Sequence, residues 1–314
     1  MIASPLTETL RTLTELEMPL PGGGRTALRF ARLMDLARQN LGLARLAEAH
    51  WDAIAILAEA GRKPRRDAVY GVWASEIPGQ SLALVPANGF FTMNGVKRLC
   101  SGAGMVDRAL ITVGKPESLL VEIDLHAIGD WVQFDESGWN ASAFTETHTA
   151  AVTFRSAPIS AQQIVGGPGW YINRLGFWRG ACSPAACWAG GAEALLDYAA
   201  TRSRRDPHAL AHLGAMRANC WAMRSCLTNA GRELDESADT PDKARILALS
   251  VRHIVEHFST DILHRLTRAY GPHPLVFDEK ISRTYYELDL YLRQSHAERD
   301  LDALGQLITS DSES

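Results

Sequence analysis

The sequence is short of cysteine, of excess charge and of long apolar runs, and each shortage closes off a class of function. Five cysteines occur among 314 residues, none in a Cys-x-x-Cys pair. Cys182 and Cys187 fall in one apolar helical run, Cys220 and Cys226 in another. Buried free thiols in a reducing cytosol are the reading, ahead of a disulfide framework or a metal cluster. A net charge of -4 and a pI near 6.2 give no electrostatic footprint for nucleic acid or an anionic membrane. No uncharged apolar run approaches the ~20 residues that span a bilayer. The first residues carry Glu8, Glu15 and Glu17 without an apolar core, so the pattern predicts no secretory signal and a cytoplasmic protein. There is no internal repeat.

What is present is a helix–sheet–helix order. With 46% hydrophobic residues the chain is an ordinary globular one, either two domains or one unit of sequential layers. Pro19 to Gly24 breaks off a weakly helical start. Thr26 is placed to cap a helix reaching Asn40, with Leu28, Ala31, Leu33 and Leu36 as its apolar stripe. A second helix covers Leu41–Ala60, and Gly61 ends it. Over Val69–Val113, β-type runs are separated by Pro-Gly, Asn-Gly and Ser-Gly turn signals, as in a compact antiparallel sheet. Further strands are expected at Ser118–Ile123, Trp131–Phe134 and His148–Phe154.

From Trp170 the helical period resumes, with helices expected at about 171–204, 208–236, 241–270 and 279–304. The first is rich in Gly and Ala, which lets another helix approach closely, in the middle of a bundle or at a subunit contact. Pro184 should kink it or mark a late start. The large apolar helix faces predict a homodimer or homotetramer.

Particular words at the sheet edge carry a resemblance. Ser75-Glu76-Ile77-Pro78 and Gln80-Ser81-Leu82 open the sheet; Gly95-Val96-Lys97-Arg98-Leu99-Cys100-Ser101 follows, and Val106-Asp107 leads the next strand. Together with the element order, these words resemble the acyl-CoA dehydrogenase family of flavoproteins over roughly Thr26 to Gly305. The resemblance implies an α+β fold: a short N-terminal helical region (1–66), a central antiparallel β-barrel or sheet (67–168), a C-terminal helical bundle (169–308) and a frayed tail (309–314). The N-terminal region is about half the family's usual length.

It also implies FAD, bound between sheet and bundle. Trp73, Ala74, Ser75, Leu99, Cys100 and Ser101 would line the isoalloxazine, which needs a flat apolar wall with a few polar groups at its edge. Trp73 reads equally well as a sheet-core residue. Ser81 and Arg179 fall on the substrate side. Arg202, followed by Arg204 and Arg205, would reach a neighbouring subunit's FAD pyrophosphate with its planar fork, or else is a solvated basic helix end. Gly271 matches a glycine-rich turn near the cofactor, and Gln294 an adenine-side polar residue.

The pattern breaks at the catalytic carboxylate. The family's α-proton base aligns with Leu292 in most members and with Trp178 in a minority, and neither accepts a proton. Glu287, Asp289 or Glu298 enters only if the alignment shifts. Arg268 replaces a usual glycine. His253-Ile254-Val255-Glu256-His257 matches a zinc-peptidase pattern, and His264 follows on the same helix, but zinc needs a third ligand and a cleft, the helix carries an apolar stripe, and a solvated or subunit-contact face is the better reading.

Three functions stay open. The first is an FAD-dependent oxidoreductase acting on an acyl thioester or related small molecule. The second is a flavin-dependent monooxygenase on the same fold, which needs no α-proton base. The third is a degenerate, non-catalytic homologue.

Overall fold

A computed structural model describes residues 5–77, 82–114, 117–202 and 206–311. It begins with α1 (Pro5–Thr14), α2 (Thr26–Gln39) and α3 (Leu41–Glu59). Eight strands follow: β1 (Tyr70–Trp73), β2 (Ala83–Ala87), β3 (Phe90–Cys100), β4 (Arg108–Val113), β5 (Leu119–Asp124), β6 (Val132–Asp135), β7 (Ala150–Ile159) and β8 (Ile164–Val165). The remaining helices are α4 (Trp170–Asn173), α5 (Leu175–Gly180), α6 (Ser183–Thr201), α7 (Pro207–Glu236), α8 (Pro241–Tyr270), α9 (His273–Phe277), α10 (Glu279–Leu292) and α11 (Glu298–Asp311). The α+β class and the helical C-terminal region expected from the sequence are both there. Among the described residues no helix is long and apolar enough to cross a membrane. The chain divides into two compact units, residues 1–18 with 46–177 and residues 19–45 with 178–314.

The first unit holds the strands. Among the described residues they form two four-stranded sheets, ordered β1-β4-β5-β8 and β2-β3-β7-β6, rather than one closed barrel. One pair also departs from the expected antiparallel pattern: β1 and β4 run parallel, Tyr70 opposite Arg108 and Trp73 opposite Ile111. The reason is topological, because β2 and β3 leave for the other sheet and the chain returns beside β1 from the same end. Asn88-Gly89 makes the two-residue turn between β2 and β3, with Gly89 at φ 87°. The mostly apolar β4 and β5 are buried strands, and Leu110 and Leu120 pack with Ile56 and Leu57 of α3, Tyr70 and Tyr171.

The second unit is helical, and its helix starts are written in the sequence. Asp206 accepts from the Ala209 N–H and Thr240 from the Lys243 N–H, each followed by proline at the first helical position, while Asp278 caps α10 through Ile281. Pro184 marks a late start: the expected helix over 171–204 is three pieces, α4, α5 and α6. Thr26 is the first residue of α2 rather than its cap. Its hydroxyl donates to Asp235 at 2.6 Å, and the Asp235 carboxylate also takes the N–H of Gly24 and of Thr26. The buried stripe of α2 is Phe30, Leu33, Met34 and Ala37, while Leu28 is exposed.

The last expected helix is two, α10 and α11, with Ala297 at φ 46° between them. Helix α11 carries on to Asp311, into the stretch expected to be frayed. The small residues of α6 are buried against α2 in the middle of the bundle. All five cysteines are free, and burial pushes the Cys182 and Cys220 thiols up to about 12, which leaves them unreactive.

Candidate functional site

The two sheet-edge words come together in the first unit. Trp73 ends β1, and its indole Nε1 donates to the carbonyl of Ser101, just past β3, at 3.0 Å. Gly71 makes room for that ring, since a Cβ there would meet Trp73 Nε1 at 3.0 Å. Lys97 supplies a second tie. Its buried ammonium donates to Glu76 Oε1 at 2.8 Å, Thr112 Oγ1 at 2.7 Å and the Thr112 carbonyl at 3.1 Å. Three acceptors meet three donors, which is what makes a buried ammonium tolerable. One lysine thus fastens the Ser75-Glu76 word to β4 and to the strand that carries the Leu99–Ser101 word.

Exposure sorts the six sheet-side residues. Ser75 and Leu99 are exposed, and Ala74 and Ser101 are half-buried. Trp73 and Cys100 are buried. Burial drives the Cys100 thiol well above its ordinary value, and its Sγ donates to the Lys97 carbonyl at 3.3 Å. Leu99 sits at φ 58° where β3 slips register against β7 between Lys97 and Cys100. A left-handed leucine costs about 1–2 kcal/mol, and here it turns the side chain outward. Phe144 and His148 are left-handed as well, at 59° and 43°. They belong to the segment whose carbonyls receive this corner, with Gly102 N donating to Thr147 O and Ala103 N to His148 O.

Sequence reasoning missed that segment. The Ser101 hydroxyl lies 3.1 Å from Thr149 Oγ1, which lies 3.1 Å from Thr147 Oγ1, and Thr147 Oγ1 donates to the Phe144 carbonyl at 2.9 Å. Both threonines are buried. The only hint in the sequence is a Thr-x-Thr just before β7, and nothing short of the β3–β7 pairing says that it faces Ser101. Asp107, the landmark aspartate, is a structural anchor. Burial pushes its carboxyl up, but hydrogen bonds from Arg11, the Val69 N–H and His126 outweigh that and hold it below its ordinary value. Ser81 lies outside the described residues, as do Arg204 and Arg205.

The second unit carries the other expected site residues. Arg179 donates through Nε and Nη2 to the Ala238 carbonyl, at 3.2 and 2.9 Å. Arg202 lies 4.1 Å over the Tyr198 ring and donates to Asp278 at 3.3 Å. Gly271 ends α8 at φ 63°, and Gln294 is exposed, its carbonyl accepting from Arg252 at 2.8 Å. At the two base positions, Leu292 is 1% exposed and Trp178 lies under the Arg245 guanidinium at 5.1 Å. His253 and His257 lie on the exposed face of α8 with ring centroids 6.3 Å apart, and no group of three His, Cys, Asp or Glu among the described residues could hold a metal ion.

At the sheet edge stand an exposed leucine and two serine hydroxyls, with Trp73 and Cys100 buried. No model of a known protein family matches the sequence, and no curated protein does. Solved structures do. TdsC, a dibenzothiophene monooxygenase from Paenibacillus sp. A11-2, solved with FMN and indole, superposes with a TM-score of 0.79 at 16% identity over 98% of this chain and 95% of its own. Methanesulfinate monooxygenase MsuC from Pseudomonas fluorescens gives 0.78 at 17% identity, over 99% and 98%. A nitrososynthase from Micromonospora carbonacea var. africana gives 0.79 at 15%, over 95% and 87%. At such identities the likeness is one of fold: this chain has the acyl-CoA dehydrogenase fold in the form that these enzymes share.

Proposed function

We propose that this protein is a flavin-dependent monooxygenase, taking FMN and oxygenating a small molecule, rather than an acyl-CoA dehydrogenase. The observation that carries this reading is Leu292, a fully buried leucine where most dehydrogenases of the fold keep the carboxylate that removes the α-proton. Trp178, at the alternative position, is no better a base. Losing a positioned base costs a dehydrogenase about 10²–10⁴-fold in rate. A monooxygenase does not need that base. The fold neighbours solved with FMN, or named as monooxygenases, support the same direction.

When bound, a reduced flavin would supply the two electrons that activate dioxygen, one atom of which goes to the substrate and the other to water. The chain's part is to hold the ring and exclude water. Leu99 would lie against it, with Ser75, Ala74 and Ser101 at its polar edge and Trp73 and Cys100 as the layer beneath. Arg202, expected from the sequence to reach an FAD pyrophosphate, is already engaged by Tyr198 and Asp278, which favours FMN over the longer cofactor.

The test is reconstitution of the purified protein with FMN and with FAD, followed by two assays. Anaerobic addition of acyl-CoAs should leave the flavin spectrum unchanged. Supplying reduced FMN with labelled dioxygen should place the label in product when indoles, sulfinates or amino sugars are screened. Bleaching by an acyl-CoA would restore the dehydrogenase reading. Failure to take up flavin in either redox state would leave the non-catalytic one.

A further inference from the structure

Arg62-Lys63-Pro64-Arg65-Arg66 puts four cations into five consecutive positions of a chain whose net charge is -4. The run joins α3 to β1 at the Tyr70 end of that strand, whereas Trp73 stands at the other end. A cavity of about 670 Å³ opens beside it, lined by residues 63–67 together with Arg108 and Glu122. The charges on the strand side are matched. Glu122 is buried, and it takes Arg108 Nε at 3.0 Å, the Tyr70 hydroxyl at 3.0 Å and Arg62 Nη2 at 3.6 Å. Arg108 also donates to Asp124 at 2.7 Å, and Arg62 to the Gln162 carbonyl at 2.6 Å. The loop side differs. Lys63, Arg65 and Arg66 are exposed, and none of their side chains bonds or ion-pairs with a described residue. Asp67 likewise has no partner among the described residues, which leaves three uncommitted cations against one carboxylate.

We infer that this cavity binds a diphosphate group, free or at the end of a nucleotide. A helix C-terminus attracts cations, but the effect fades beyond the last turn, and α3 ends at Glu59. The helix therefore does not account for Lys63, Arg65 and Arg66. The loop is also held in place, since the Arg65 N–H donates to the Tyr70 hydroxyl at 2.8 Å, so a ligand does not have to order it. Two planar guanidinium forks each suit a pair of phosphate oxygens, and the lysine adds a point charge. Three cations around one concavity outnumber what a single phosphate can answer. Glu122 does not repel the anion, because Arg108 and Arg62 already neutralise it. A flat basic patch would suit an acidic protein surface, whereas a concavity of this volume suits a small molecule. Its lining has no aromatic ring and no side-chain amide, so phosphates are read and a base is not. The site lies apart from the flavin reading and does not depend on it.

The experiment is calorimetric titration of the flavin-free protein with inorganic diphosphate, ADP, AMP and inorganic phosphate. Diphosphate and ADP should bind saturably with Kd below about 0.1 mM, and AMP and phosphate about tenfold or more weakly. Lys63→Gln, Arg65→Gln and Arg66→Gln should each weaken diphosphate by about 3- to 30-fold. Arg299→Gln, which removes an exposed arginine on α11, should leave it unchanged. All four are surface substitutions, and circular dichroism checks that each variant is folded. ADP binding tighter than inorganic diphosphate assigns the site to nucleotides, and equal or weaker ADP assigns it to the diphosphate alone; either result supports the inference. Absence of saturable binding, AMP as tight as ADP, or an equal loss in Arg299→Gln overturns it. FMN titration of the same loop variants should match wild type, and a parallel loss of FMN affinity also overturns the inference, because the cavity then belongs to the flavin site. If wild type takes up no FMN, the flavin reading fails alone and the diphosphate titration still decides this one.

Discussion

The indole N–H of Trp73 points at the carbonyl of Ser101 from 3.0 Å, so a residue in one sheet fixes the position of a corner at the end of the other. Trp73 is buried and Ser101 half-buried. Replacing Trp73 with Phe keeps a large apolar ring but leaves that carbonyl without its donor, which should cost about 1–3 kcal/mol of stability. Because the corner carries the Ser101 hydroxyl, FMN affinity should fall as well. Urea denaturation and FMN titration of Trp73→Phe read the two effects. Loss of stability with unaltered FMN binding would detach the corner from the cofactor.

A second consequence concerns pH. His50 is buried, and its Nδ1 accepts the Tyr70 N–H at 3.1 Å. Burial pushes its pKa down to about 4 from an ordinary 6.5. Between those values the unfolded chain holds a proton that the folded one does not, so stability is complete above pH 6.5 and falls as pH drops toward 4. The size is about 3 kcal/mol. In His50→Asn the side-chain oxygen can still accept from Tyr70 but does not titrate. Denaturant midpoints between pH 7 and 4 should slope for wild type and flatten for this variant.

How much of this was legible in the residues depends on the distance over which each feature is decided. Helix starts at Asp206-Pro207 and Thr240-Pro241 are local, set by a side-chain acceptor and a fixed φ, and they read directly. So does the Asn88-Gly89 turn. The parallel pairing of β1 with β4 is not local, since it follows from where β2 and β3 go, and an alternating pattern does not distinguish that. At the site, Ser75, Leu99 and Ser101 stand in recognisable words. Thr147 and Thr149 do not, because they reach Ser101 through strand pairing across 48 residues. Thr26 misled for the same reason: an ideal cap residue is instead held by Asp235, 209 residues away.

The small-residue helix α6 gives a third prediction, because its glycines are not equivalent. A Cβ on Gly190 would lie 2.2 Å from the Met34 carbonyl of α2, where backbone must move; on Gly191 it would meet Leu41 and Leu288 side-chain carbons at 3.1–3.4 Å. Helix propensity alone favours alanine at both by up to about 1 kcal/mol. Gly190→Ala should nevertheless destabilise by about 2–3 kcal/mol or more, since helices α2 and α6 would have to part. Gly191→Ala should fall within about 1 kcal/mol of wild type. Thermal denaturation of the pair separates close helix approach from propensity.

Leu292 offers the last and most direct test of the reaction class. Installing the dehydrogenase carboxylate by Leu292→Glu puts a charge where the present side chain is 1% exposed. A carboxyl group there is desolvated, its pKa rises, and a cost of about 3–5 kcal/mol in stability is expected. If this position is core packing, the variant is destabilised, retains whatever flavin the folded fraction binds, and shows no bleaching with acyl-CoA under anaerobic conditions. If it folds normally and acyl-CoA bleaches its flavin, the position was an open catalytic one all along. The protein would then be a dehydrogenase lacking only its base, and the monooxygenase assignment would fail. Buried leucine and vacant base position make opposite forecasts for one substitution, read by a denaturation curve and a visible spectrum.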